Sequence, residues 1–190
     1  MALSPDGTLL AAALEGEGDP LIAVFDLSLP NAAPRPTGIT AADAGDQVLS
    51  LDWSPDGRSL AVGTRGGSLL VAGTSGGVLA QTMNAPVRLL SWLPDGAGVV
   101  HTCAGHAVCI SSPETGAVDV LHGHARPLTA LAVSPDGKRI ASASDDATVR
   151  IWTVAGEGAA VGTVRVADEG AAAAHAPDGR TAWIDRMGAL

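Results

Sequence analysis

The chain has 190 residues, with 11 basic against 20 acidic side chains and a formal charge of −9, and it is long enough for one sizeable core or two small ones. No window concentrates the basic charge that displaces counterions from a phosphate backbone, which argues against a nucleic-acid partner. Two cysteines argue against a disulfide framework, and the opening "MALSPDGTLL" lacks the basic and then apolar stretch of a signal peptide, so a cytoplasmic location is expected.

One turn phrase punctuates the chain. Pro-Asp-Gly occurs at Pro5, Pro55, Pro94, Pro135 and Pro177, at intervals of 50, 39, 41 and 42 residues. Pro presets the backbone at the second turn position, Asp bonds its own backbone, and Gly supplies a positive φ. Short alternating apolar runs flank the turns: "VLSLDW" (48–53) and "SLAVGT" (59–64), "VRLLSW" (87–92) and "GVVHTC" (98–103), "LTALAV" (128–133) and "RIASAS" (139–144). Alternation predicts strands with one buried face, joined by the turn. Further strands follow, as in "TVRIWTV" (148–154) and "AVGTVRV" (160–166).

The predicted units are 1–30, 47–82, 86–121, 123–166 and a partial unit at 168–190, with a Pro-, Ala- and Gly-rich insertion at 31–46 lengthening the first interval. Four short strands in each stretch of about forty residues describe a propeller blade, which cannot bury both faces alone and so must repeat. Residues 66–87 carry no charge, but Gly pairs interrupt them and Pro86 closes them, so they read as strands and a turn rather than a membrane span.

Over 121–154 the chain resembles the WD-repeat β-propeller family. It has Gly123-His124, then "SPDG", then "SASDDAT", then "IW" at the expected distances, with Thr153 where the signature Asp belongs. The resemblance implies an all-β propeller and, within this blade, a hydrogen-bonded set of His124, Ser142, Asp146 and Trp152. Asp146 would accept from the His124 ring, and the Ser142 hydroxyl would link that ring to the Trp152 indole N–H. Other units depart from the pattern. Aligned on Pro-Asp-Gly, the places of Ser, Asp and Trp hold Val62, Gly66 and Ala72 in one unit and His101, Gly105 and Ser111 in the next. These units are expected to rest mainly on apolar packing and to be softer. Trp53 and Trp92 are expected between blades. His175 takes the slot of Trp53, Trp92 and Val133 in the other units, and a core role is its default.

About four blades are countable, whereas the family usually closes a ring with about seven, so an incomplete or open ring is expected. The chain could be a fragment of a longer protein, pair with a second copy, or close on itself through "GAAAAHA" (170–176). Open strand edges would invite self-association.

The spelling "HTCAGHAVC" (101–109) looks like a metal site. A hairpin turning at Ala104-Gly105 pairs His101 with Val108 and sets Cys109 on the face opposite His101, Cys103 and His106. On that register neither a tetrahedral metal site nor a Cys103–Cys109 disulfide forms. His122 reads as a loop residue, and Asp145-Asp146 as a turn acceptor with its exposed neighbour. "GTRGG" and "GTSGG" lack the Lys and helix of a phosphate loop. No nucleophile elbow or HExxH appears.

The expected function is therefore a non-catalytic scaffold recognising a protein or peptide, with no cofactor, no metal and no membrane partner. As a fragment it would belong to a larger regulator. A propeller enzyme or small-molecule binder is the alternative. Arg65, Asn84, Arg126 and Asp145 are the residues nominated for partner contact. Abundant Ala and Gly, and a single Lys138 among the basic residues, suggest a bacterial source with GC-rich DNA.

Overall fold

The computed structural model describes residues 1–14, 21–29, 33, 35–36, 47–73, 78–154, 160–165, 170–175 and 181–185. These build four antiparallel sheets of four strands each and a two-stranded hairpin. By contact the chain divides into two compact units, Met1–Trp92 and Leu93–Leu190.

In the first unit, β1 (Ala2–Leu3), β2 (Leu9–Leu14), β3 (Leu21–Asp26) and β4 (Arg35–Pro36) lie side by side in chain order. β4 is drawn from the segment read as an insertion, since Pro36 pairs with Ala23 and Arg35 with Val24. The rest of that segment, apart from residue 33, lies outside the described residues. The next sheet holds β5 (Val48–Trp53), β6 (Ser59–Thr64), β7 (Ser68–Gly73) and β8 (Val78–Thr82), and β9 (Leu90–Trp92) packs against β5. Ala11 and Ile22 of one sheet close on Trp53, Leu60, Val62, Leu70 and Ala72 of the other in a shared apolar core. Neither sheet could bury that face alone, which is why the unit repeats.

The second unit begins with β10 (Val99–Thr102), β11 (Val108–Ser111) and β12 (Val118–Leu121). It continues with β13 (Leu128–Val133), β14 (Arg139–Ser144), β15 (Thr148–Thr153) and β16 (Ala160–Arg165), then the hairpin β17 (Gly170–His175) and β18 (Thr181–Asp185). β17 packs against β13, β14 and β15. The side chain of His175, the turn after it and the segment 186–190 lie outside the described residues.

Among the described residues, the Pro-Asp-Gly corners preceded by Ser are built alike. Gly57 has φ 67° and donates its N–H to Ser54 O at 2.9 Å, while Asp56 accepts from the Ser54 hydroxyl at 2.6 Å and from Arg58 N–H at 3.0 Å. Ser4–Asp6 and Ser134–Asp136 repeat this pattern. The Ser bond chiefly, then the following N–H, holds the Asp6, Asp56 and Asp136 carboxyls below their ordinary pKa. At the third corner Leu93 replaces the Ser, and Asp95 keeps its bond from Ala97 N–H at 2.9 Å.

Candidate functional site

Ladder register brings the four residues of the fourth repeat together. β14 and β15 pair Ser142 with Arg150 and Ile140 with Trp152, so Ser142 and Trp152 are diagonal neighbours on one face. The Trp152 indole N–H donates to Ser142 Oγ at 2.9 Å, and Ser142 Oγ lies 2.8 Å from His124 Nε2. His124 Nδ1 lies 2.9 Å from Asp146 Oδ2. The depressed Asp146 carboxylate can only accept, so the proton sits on Nδ1; Nε2 then accepts from the Ser142 hydroxyl. All donors point one way, from Trp152 through Ser142 to the His124 ring, and from the ring to Asp146.

Asp146 is the anchor. Its partial burial opposes ionisation, but bonds from the Thr148 hydroxyl, Ala125 N–H and the His124 ring together hold its carboxyl far below the usual range. Burial pushes the His124 imidazole down, against the pull of Asp146, and the neighbouring Arg150 guanidinium adds to the depression. His124 is accordingly neutral at pH 7. The His124 and Trp152 rings also meet edge to face, with centroids 6.1 Å apart at 64°. Gly123 is needed beside them, because a Cβ there would sit 2.6 Å from Arg150 Nη1 and 3.1 Å from the Trp152 ring. Thr148, Ala125 N–H and Gly123 were not singled out from the sequence as partners of the set. A Thr two residues after an Asp is the local signal, since that spacing closes an Asx or ST turn.

The third repeat has its own polar pair. His101 Nε2 lies 2.8 Å from Ser111 Oγ and Nδ1 lies 3.0 Å from Thr102 O, which can only accept. His101 is thus also a neutral Nδ1–H imidazole, and burial pushes its pKa down. The departing repeats thus differ: Val62 and Ala72 stand in an apolar core, whereas the third repeat adds this buried polar pair to the packing of Val99, Val100, Val108 and Ile110.

The hairpin at 101–109 also corrects the sequence register. His101 pairs with Cys109 and Thr102 with Val108, because three residues, Ala104–His106, separate Cys103 from Ala107, rather than two. The one-residue shift moves Cys109 to the face of His101 and Cys103. Cys103 and Cys109 form a disulfide with Cα atoms 6.0 Å apart, where none was expected. Among the described residues no group of three His, Cys, Asp or Glu side chains is placed to hold a metal ion.

Trp53 and Trp92 both bridge neighbouring strands of the first unit. The Trp53 indole N–H donates to Ala2 O at 3.1 Å and that of Trp92 to Asp52 O at 3.2 Å. Asp52 further accepts from Trp92 N–H at 3.0 Å, and burial raises its carboxyl pKa despite that bond.

Of the nominated contact residues, Arg65, Asn84 and Arg126 are exposed. Arg65 Nη1 donates to Gln47 Oε1 at 3.4 Å, and Asn84 (φ 52°) sits on the 83–87 connection that crosses the 64–67 turn, where Met83 N–H donates to Gly67 O at 2.6 Å. Arg126 Nη1 donates to Asp145 O at 3.1 Å. Asp145 is half-buried rather than exposed, because its N–H is tied to Pro127 O at 3.0 Å and Arg126 lies against its carbonyl.

Stacked four-stranded sheets with a buried His–Ser–Trp set and an Asp-capped turn define a repeat protein of the propeller class. The WD40 family, described as WD domain, G-beta repeat, matches residues 37–72 and 116–153. The chain is 31% identical over 157 residues to WD repeat-containing protein SL1-17 of Schistosoma mansoni, covering 80% of this chain and 49% of that protein. It is 29% identical over 184 residues to Periodic tryptophan protein 2 of Arabidopsis thaliana, covering 93% of this chain and 19% of that one. Among solved structures it resembles a chain of "Crystal Structure of Mitotic Checkpoint Complex", with a TM-score of 0.80 at 22% identity, over 97% of this chain and 55% of that one. The chain carries WD repeats, and its fold is the all-β fold of the WD-repeat propeller. It spans about half the length, or less, of the curated relatives named here.

Proposed function

We propose that this chain is a non-catalytic scaffold that presents its turns to a protein or peptide partner, as part of a longer regulatory protein of the cytoplasm. The observation that carries the reading is the closure of the His124 set. Ser142, His124 and Asp146 have the connectivity of a nucleophilic triad, at 2.8 and 2.9 Å. Yet Ser142 is 0% exposed and its oxygen already accepts the Trp152 N–H, so no substrate carbonyl can approach it. The set braces the blade, and recognition falls to the turns around it. The share of longer relatives that the chain covers supports a place in a larger protein.

Arg65, Asn84, Arg126 and Asp145 are the contact residues of this reading, and no cofactor is required. Outer strand β12, with Val118 and Val120 exposed, is an edge through which the chain can self-associate. The test is capture of proteins from a lysate on the immobilised chain, followed by mass spectrometry. A partner retained by the wild type and lost with Arg126→Ala or Arg65→Ala, each variant keeping its β-sheet spectrum, supports the reading. Unchanged capture of every protein removes both nominations.

A further inference from the structure

Aligned on Pro-Asp-Gly, Cys103 takes the place of Thr64 and Ser144 at the start of the turn after the second strand of each repeat. Both hydroxyls fasten their turns, through different bonds. Thr64 Oγ1 accepts from Ser68 N–H at 2.9 Å, and Ser144 Oγ accepts from Asp146 N–H at 3.1 Å while donating to Arg126 O at 2.9 Å. Thr64 pins its turn to the start of β7, and Ser144 pins its turn to the segment that leads into β13. A cysteine sulfur accepts hydrogen bonds only weakly, and here the pin is the covalent bond to Cys109.

The turn needs that pin. Gly105 has φ 70° and His106 φ 60°, a left-handed conformation that a residue bearing a Cβ adopts at a cost. Ala104, Gly105 and His106 are exposed and form a single 3₁₀ turn, with Cys103 N–H donating to Ala107 O at 3.2 Å behind them. Disulfides of cytosolic chains are usually transient. Cys103 is half-buried and Cys109 is buried, so an incoming thiolate meets the Cys103 sulfur first.

We propose that Cys103–Cys109 is a reversible thiol–disulfide exchange site whose redox state sets the order of the 104–107 turn, with a dithiol as reductant. In the first step a thiolate of the dithiol bonds to Cys103 Sγ. The S–S bond breaks and its electron pair leaves with Cys109 Sγ, which takes up a proton. The second thiol of the reductant, as thiolate, then attacks the mixed disulfide, releasing Cys103 as a thiol after protonation and the reductant as a disulfide. The protein is reduced by two electrons and the dithiol oxidised by two. The turn is the counterpart of those bearing Arg65 and Asp145, so the exchange would reshape a partner-contacting loop. That consequence rests on the scaffold reading, and the reversibility on the cytoplasmic location proposed with it; the bond between Cys103 and Cys109 rests on neither.

The test reads the thiols and the turn directly. The chain purified without reductant is treated with iodoacetamide and weighed, before and after dithiothreitol. No adduct before and two after are expected; two adducts before reduction overturn the proposal. Amide hydrogen exchange is then followed in the oxidised and reduced wild type, Cys103→Ala and Cys103→Ser. Reduction and Cys103→Ala should each speed exchange at 104–107 about ten-fold, with Val100 and Ile110 unchanged. Cys103→Ser should stay slow with or without dithiothreitol, because its hydroxyl restores the tie seen at Ser144. Equal exchange at 104–107 in the oxidised and reduced wild type overturns the proposal, whatever the chain captures from a lysate.

Discussion

His101 Nε2 lies 2.8 Å from Ser111 Oγ in the third repeat, and the two residues stand where Ser142 and Trp152 stand in the fourth, each pair ten residues apart. A bond between second and third strands is thus kept while its chemistry changes: indole to hydroxyl in one repeat, hydroxyl to imidazole in the other. Ser111→Ala leaves the buried Nε2 without a donor. A loss of about 1–3 kcal/mol is expected from urea unfolding. Adding His101→Leu should cost less than the sum of the single changes, since the orphaned group is then gone. Strict additivity would show that the pair is not coupled.

Ser142→Ala should be costlier than Ser111→Ala, because it orphans two groups at once, Trp152 Nε1 and His124 Nε2. About 2–4 kcal/mol is the expected loss in the same unfolding experiment. Trp152→Phe deletes the donor and keeps most of the ring, and should cost less. If Ser142→Ala fell below Trp152→Phe, the hydroxyl would not be the hub of the set.

Acid should weaken the fold in two stages. The folded pKa values of His101 and His124 are lowered, chiefly by burial, from an unfolded value of about 6.5. Below that value the unfolded chain binds more protons than the folded one, so their contribution is whole above it and is lost as pH falls through it. Asp146 is depressed far below about 3.9, so its contribution survives until the pH falls under that value. Asp52 runs the other way, since its raised pKa favours folding on acidification. A urea midpoint lower at pH 5.5 than at pH 7.5 is expected. A higher midpoint at pH 5.5 would mean that the imidazoles are charged inside the fold, or that Asp52 outweighs both.

Much of this was legible because the signals were local. Pro-Asp-Gly corners and alternating flanks mark β5, β6, β13 and β14 at the residues where they occur. The His124 set could be placed because one repeat spells it in full. The 101–109 hairpin was misread because Ala104-Gly105 looks like a two-residue turn, while the actual loop carries a third residue, His106, at a positive φ that its side chain does not advertise. One residue of register decides which face Cys109 takes, so the disulfide and the turn length were missed together. Aligning the hairpin on its neighbour would have given the right pairing, since Ser142 faces Arg150 as His101 faces Cys109. Strand β4 was missed because two residues, one of them Pro, carry no periodicity.

The two bridging indoles predict where the first unit is joined. Trp53 is 4% exposed, belongs to the core shared with Ala11 and Ile22, and reaches Ala2 O at 3.1 Å. Trp53→Phe removes the N–H but leaves a ring in the core, and should cost about 1–2 kcal/mol. Trp53→Ala opens a cavity between two sheets and should cost about 3–5 kcal/mol. Both are measured by urea unfolding. Proteolysis of Trp53→Ala under native conditions should cut within 1–14 faster than in the wild type, because β1 and β2 lose the surface that covers them. If the two substitutions cost the same, the ring contributes little beyond its hydrogen bond, and the sheets are held together by the smaller residues around it.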